Sequence, residues 1–393
     1  MLLNNIEQDI KEELDDKGDS FNEQGDRLDE LRRTTDGSGS EAGASMKKKV
    51  KRGILAGTAV ILTLILIFAL VCLTRINTHV WDYAYSPELP KPGIGVDFKH
   101  DDLIGNLFIR WSNLLNNIQT GLWKAPEQLI KQKLSIPARD GYKISGYLIE
   151  PEGHENDTLP VILYCHGGAF FLTMMPNQLD MASVLAKELQ CRVFVPQYRT
   201  SLDAPYPIPL QDCYDVLQFI AADPRTDSEK ILIYGDSAGG CLAASVTQLC
   251  CDERLLFPAG QMLIYPVTDT DQKYPDLDTY AYATWPREAN KRMWKTHLNG
   301  ANPLSSDYAV PMLHESSAIL PDAYVETAEM DILCDQGEAY GEKLQKAGVD
   351  VTMQKVPGAY HGYDGDVNNP YVRQMIDLRI SWLRDALAGT ADS

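Results

Sequence analysis

Ile231-Leu-Ile-Tyr-Gly-Asp-Ser-Ala-Gly-Gly240 is an apolar run that stops abruptly at a serine set between glycines. The apolar part reads as a buried strand. Gly235, Ser237 and Gly239 form a Gly-x-Ser-x-Gly pentapeptide, which turns the chain sharply from strand to helix and leaves the serine hydroxyl exposed in strained geometry. Small residues on either side let the following helix pack close to the strand. Taken alone, the same pattern also describes an ordinary strand-to-helix turn.

Nucleophilic chemistry at Ser237 needs oxyanion donors, a base and an acid, and the chain offers each. Upstream, Leu159-Pro-Val-Ile-Leu-Tyr-Cys-His-Gly-Gly-Ala-Phe170 is a second short apolar strand running into His166, Gly167, Gly168 and Ala169. Glycines there free backbone N–H groups to point at a substrate oxygen, and the N–H of Ala238, next after the serine, completes such a hole. Downstream, Asp331 follows the apolar strand Ala323-Tyr-Val-Glu-Thr-Ala328, and His361 follows the strand pattern Val349–Val356. Asp335 and Glu329 are competing carboxylates near the same strand end. The order serine, acid, histidine is that of α/β-hydrolases.

These motifs together, His166-Gly-Gly-Ala-Phe170, Gly235-Asp-Ser-Ala-Gly-Gly240, Asp331-Ile-Leu-Cys-Asp335 and His361-Gly362, resemble the hormone-sensitive-lipase group of esterases over roughly residues 131–387. The resemblance implies Ser237 as nucleophile, His361 as base and Asp331 as the acid that orients it. It also implies an oxyanion hole from the Gly167, Gly168, Ala169 and Ala238 region, with His166 supporting the loop by hydrogen bonds. Two positions depart from the family pattern: Ala169 replaces a third glycine, and Ile332 replaces a proline after the acid. Neither removes a reacting group, since alanine also carries a backbone N–H. The chemistry needs no metal or cofactor.

The rest of the chain fits one α/β domain. Residues 133–149 read as two strands about the hairpin signal Asp140-Gly141. Strand patterns at Val161 and Arg192–Val195 then alternate with helical ones at 178–189 and 210–221, which implies a mostly parallel sheet with helices on both faces. Ligands bind such sheets at the carboxyl ends of the strands, where His166, Ser237, Asp331 and His361 fall. Residues 131–393 are therefore the expected catalytic domain. The Tyr-, Trp- and Pro-rich stretch at about 268–318 interrupts it as a cap insertion. Residues 76–130 carry Ile104, Leu107, Phe108, Trp111, Leu114 and Leu115 at helical spacing, read as a helical cap whose apolar stripe faces the core. A final helix spans 372–387.

Residues 1–46 are polar and acidic, and such a composition does not bury enough apolar surface to order itself. Residues 47–75 hold Lys47-Lys-Lys-Val-Lys-Arg52 and then 54–74, a run of 21 residues without charge. At about 1.5 Å per residue a helix of that length spans roughly 32 Å, enough for a bilayer core. The basic cluster on the N-terminal side keeps the tail in the cytoplasm and puts the catalytic domain outside or in a lumen. The sequon Asn156-Asp-Thr158 suits such a placement.

A net charge of −19 without a basic, aromatic-interleaved stripe excludes a nucleic-acid partner. Of eight cysteines, seven fall in the catalytic region without metal-site spacing, and they read as buried thiols. The expected activity is hydrolysis of small, fairly apolar acyl esters through an acyl-enzyme. The alternatives are an amide-cleaving deacetylase on the same fold, or a non-catalytic receptor using the same pocket. Oligomeric state is open.

Overall fold

The computed structural model describes residues 58, 63, 76–77, 79–93, 95–96, 98–271, 273–302, 308–315 and 319–389. The acidic tail expected at 1–46 lies outside them, as does the membrane helix expected at 54–74 except for its residues 58 and 63. Among the described residues no helix is long and apolar enough to cross a membrane.

Helix α1 (Leu103–Leu122) is followed by strands β1 (Leu129–Pro137), β2 (Lys143–Pro151) and β3 (Leu159–Cys165). Then come α2 (Pro176–Leu189), β4 (Arg192–Gln197), α3 (Ile208–Ala222), β5 (Thr226–Asp236), α4 (Ala238–Asp252) and β6 (Gly260–Ile264). Short α5 (Asp276–Thr279) and longer α6 (Arg287–Leu298) precede β7 (Ala323–Ala328), α7 (Cys334–Lys346), β8 (Val351–Val356) and α8 (Pro370–Ala388).

The eight strands form one sheet in the order β8-β7-β6-β5-β3-β4-β2-β1. Strand β2 is antiparallel to both β1 and β4, and the pairs from β4 to β8 are parallel. The expected hairpin about Asp140-Gly141 is therefore present, with Ser135 opposite Ser145. Every residue of β6 and β7 is buried, as parallel strands covered on two faces require. One core layer holds Leu179, Leu185, Ile376, Ile380 and Leu383 of α2 and α8. The other holds Leu217, Ile220, Leu242, Val246 and Leu344 of α3, α4 and α7.

Helix α1 is present, but the expected direction of its stripe is wrong. Leu107, Trp111 and Leu114 are 47%, 52% and 49% exposed. The helix docks instead by its polar side. Asn113 donates from Nδ2 to the Phe171 carbonyl at 2.9 Å and accepts from the Thr173 N–H at 2.9 Å. Asn116 reaches the Thr173 carbonyl at 3.3 Å and Asn117 accepts from Gln197 at 2.7 Å. Helical periodicity locates an apolar stripe but not the side on which protein lies. The insertion expected at about 268–318 is helical at α5 and α6, with residues 272, 303–307 and 316–318 outside the described set.

Candidate active site

Three strand ends deliver the candidate reacting groups. Strand β5 ends at Asp236, and Ser237 turns the chain into α4 with φ of 56° and ψ of −122°. That is a positive φ on a residue with a side chain, the strained elbow expected from the pentapeptide. A methyl group added at Gly239 would overlap the Cys165 and His166 backbone, so the elbow admits only glycine there. The Ser237 N–H donates to the Ile264 carbonyl at 2.9 Å, which ties the turn to the end of β6.

Ser237 Oγ lies 2.8 Å from His361 Nε2, and His361 Nδ1 lies 2.6 Å from Asp331 Oδ2. Asp331 is fully buried after β7, and its Oδ1 accepts from the Leu333 N–H at 3.2 Å. The competing carboxylates point elsewhere: Glu329 accepts from the Gly358 N–H and Asp335 from the Asp276 N–H. The structure thus brings Ser237, His361 and Asp331 into one hydrogen-bonded chain. The arrangement can deprotonate the serine and stabilise the imidazolium that results.

The oxyanion turn follows β3. Gly168, Ala169 and Phe170 have φ of 126°, 58° and 57°. The unusual backbone at Ala169 is what the missing third glycine would have relaxed. Among the described residues the N–H groups of Gly168, Ala169 and Ala238 have no hydrogen-bond acceptor, so they are available to a substrate oxygen. Gly167 departs from expectation. Its N–H faces the Asp236 carboxylate and its carbonyl accepts from His166 Nδ1 at 2.7 Å, so it holds the turn rather than contributing a donor.

His166 is fully buried, stacked on Tyr198 with ring centroids 4.3 Å apart. Burial pushes its imidazole down to about 4. It supports the loop as a neutral ring that donates one hydrogen bond. Burial, and then repulsion from Asp364, pushes the Asp236 carboxyl up to about 6. Asp236 Oδ2 also accepts from Gln178 Nε2 at 3.3 Å, joining the elbow, the oxyanion turn and α2. The seven cysteines of this region are free and buried.

A family described as alpha/beta hydrolase fold matches residues 162–364, which include every group named above. The chain belongs to this family. As a member of the alpha/beta hydrolase fold family it is similar to an esterase of Fusarium pseudograminearum, 28% identical over 243 residues that cover 58% of this chain and 73% of that one. It is also similar to carboxylesterase NlhH of Mycobacterium tuberculosis, 32% identical over 217 residues covering 53% and 67%. Among solved structures it resembles a fungal esterase from Rhizomucor miehei, with TM-score 0.65 and 27% identity, covering 72% of this chain and 90% of that one.

One supporting group of this alpha/beta hydrolase was not anticipated. Arg379 of α8 is fully buried and donates from Nη1 to Asp364 Oδ2 at 2.7 Å and from Nε to Glu326 Oε2 at 3.0 Å. Tyr265 OH donates to Asp364 Oδ1 at 2.5 Å, and its ring meets that of His361 edge-on at 4.9 Å. These bonds fix the short loop that carries His361. The one sequence sign of them is an arginine inside the apolar spacing Ile376, Ile380, Leu383 of α8.

A cleft of about 870 Å³ lies elsewhere, between the β1–β2 side of the sheet and the flank of α1 that carries Arg110, Asn113 and Leu114. Its lining includes none of the triad or oxyanion residues, and its arginines are already paired, Arg110 with Asp203 and Arg199 with Asp212.

Proposed function

We propose that the protein is a serine carboxylesterase acting on small, fairly apolar acyl esters. The observation that carries this reading is the hydrogen-bonded chain from Ser237 through His361 to Asp331 beside three unengaged N–H groups. Esterase and carboxylesterase are also the names borne by the relatives described above. His361 takes the serine proton as Oγ attacks the ester carbonyl, and Asp331 holds the imidazole in the productive tautomer. The N–H groups of Gly168, Ala169 and Ala238 receive the developing oxyanion. His361 then protonates the leaving alcohol and activates the water that releases the acid.

Residues 76–130 and about 268–318 act as the cap over this site. Trp285, with its ring 6.1 Å from that of His361, and Phe98 beside it at 6.4 Å supply apolar walls. The uncharged run 54–74 behind a basic cluster supports a single membrane anchor, with the N-terminus cytoplasmic and the catalytic domain extracellular or lumenal. This anchor-first order resembles arylacetamide deacetylase.

The test is hydrolysis of a chromogenic ester series, from acetyl to long acyl chains, by the full chain beside Ser237→Ala. Turnover of the short esters that disappears in the variant is the expected result. Equal activity of both proteins would overturn the assignment, and cleavage of acetyl amides alone would move it to a deacetylase. Protease protection of sealed vesicles checks the topology, with the catalytic domain expected to be digested from the non-cytoplasmic side.

A further inference from the structure

Helix α1 carries its two chemistries on opposite sides in an inverted sense. At about 100° per residue, Leu103, Leu107, Trp111, Leu114, Ile118 and Leu122 fall in a sector of roughly 100°. All six are exposed, from 47% at Leu107 to 74% at Leu103. The opposite side, with Asn106, Ile109, Asn113, Asn116 and Thr120, faces the protein. Arg110 is the one charged residue of the helix, lies outside the apolar sector and is paired with Asp203 at 2.6 Å. Soluble helices normally bury the apolar side and wet the polar one.

This inverted helix is held firmly. Lys131 of β1 donates to the carbonyls of Thr120, Gly121 and Trp123 at 2.8, 3.1 and 2.6 Å, which caps its C-terminal end. Asp102 caps the other end by accepting from the Gly105 N–H at 2.7 Å. Arg292 of α6 ties the first turns down through the Phe98 carbonyl and Asn106, both at 2.7 Å. The apolar side is thus fixed outward by many specific bonds.

We propose that the outer face of α1 lies in the boundary between headgroups and acyl chains of a lipid bilayer, and so sets the mouth of the active site against the phase that dissolves its esters. The proposal rests on the esterase and anchor readings above and extends them to a second contact. Contiguous exposed apolar surface of this kind marks an interaction site, and an uncharged sector on a helix suits a lipid interface.

Chain connectivity favours lipid over other occupants. Four residues, 75–78, separate the end of the uncharged run from His79, whose ring packs on Tyr282 with centroids 5.2 Å apart. Extended, that connection reaches roughly 17 Å. The chain beyond it is laid along the His361 side of the domain, with Ser86 N–H donating to the Gly358 carbonyl and Tyr360 OH to the Pro90 carbonyl, both at 2.9 Å. Helix α1 in turn bonds Phe171 and Thr173, directly after the oxyanion turn. A second copy is a poorer occupant: one helix face about 30 Å long and 10 Å wide offers roughly 300 Å², against about 800 Å² per partner in a stable interface.

The experiment uses the full chain in phosphatidylcholine vesicles. A fluorophore is placed at Leu114→Cys in a Cys72→Ala background, where the remaining cysteines are buried. Its quenching by lipid-borne nitroxide and by aqueous iodide is compared with that of a label at Ser228→Cys, at the far end of β5. At least threefold stronger nitroxide quenching at 114 than at 228 is expected. Iodide quenching equal to that at 228 overturns the proposal, and so does protection from both quenchers with cross-linking between copies.

An alkaline wash separates this result from the anchor reading. Chain that washes off but shows lipid contact at 114 while bound refutes the anchor alone, whereas chain that resists the wash with 114 in water refutes only the α1 contact. In the paired variant Leu107→Lys with Ile118→Lys, turnover of a water-soluble short ester is expected within twofold of the parent. Turnover of a short-acyl ester of an apolar alcohol that partitions into the vesicle should fall tenfold or more, and an unchanged rate on that ester counts against the proposal.

Discussion

Ser237 is held at positive φ by a turn in which the flanking glycines have no room for a side chain, and its Oγ is already within hydrogen-bonding distance of the base. Removing that oxygen leaves only binding and the oxyanion donors, so Ser237→Ala should lower kcat by about 10⁵–10⁶ with the fold intact. Asp331→Asn keeps the shape but favours the wrong imidazole tautomer, and a loss of about 10⁴ is expected in the same assay.

Beneath the triad, two buried groups act on stability in opposite senses. An unfolded chain protonates His166 near 6.5, while the folded one resists down to about 4. This contribution is present at neutral pH and lost as pH falls, by about 3 kcal/mol. Asp236 keeps its proton up to about 6 when folded. Its contribution is present in acid and is lost as pH rises through that range, again by about 3 kcal/mol. Asp236→Asn should remove the second effect and expose the first. Urea titrations at pH 4 and 6, which span about two thirds of that effect, should then show the variant losing about 2 kcal/mol more than the parent on acidification.

At the scale of the element, α1 depends on what lies under it rather than on its own apolar stripe. Lys131 occupies three carbonyls at its C-terminal end, and burial holds this ammonium below the usual lysine range. Lys131→Met leaves those carbonyls to water and should cost about 1–2 kcal/mol in urea unfolding. Asn113→Ala removes two bonds to the 171–173 loop that continues from the oxyanion turn. A similar loss of stability is expected together with a fall in kcat larger than any rise in KM, because the donors of that turn would lose their alignment. Steady-state kinetics on a short ester would separate the two effects.

Across the whole molecule, Arg379 joins α8 to the ends of β7 and of the His361 loop, with Glu326 and Asp364 as its buried partners. Arg379→Met would leave two carboxylates in the core without a counter-charge, and a loss of about 3–5 kcal/mol in urea unfolding is expected. The nucleophile elbow, the oxyanion turn and the hairpin were legible in the chain because each depends on neighbours within about ten residues, and the parallel sheet because strand and helix patterns alternate along it. Gly-x-Ser-x-Gly constrains its own backbone, and an apolar run reports its own burial. The Arg379 cluster was not legible, since its partners lie 15 and 53 residues away.

By itself, then, the sequence determined the alternation of strands and helices through the elbow, the candidate serine and histidine, and the short list of carboxylates that could serve as the acid, while β6 and α7 went unread. Tertiary structure decided that Asp331, and neither Glu329 nor Asp335, meets His361. It also decided that Gly167 holds the turn while its neighbours present their N–H groups, and that α1 turns its asparagines inward. These outcomes share one physical reason. Each depends on the direction in which a side chain or N–H points after distant segments have packed, and local periodicity carries no information about that direction.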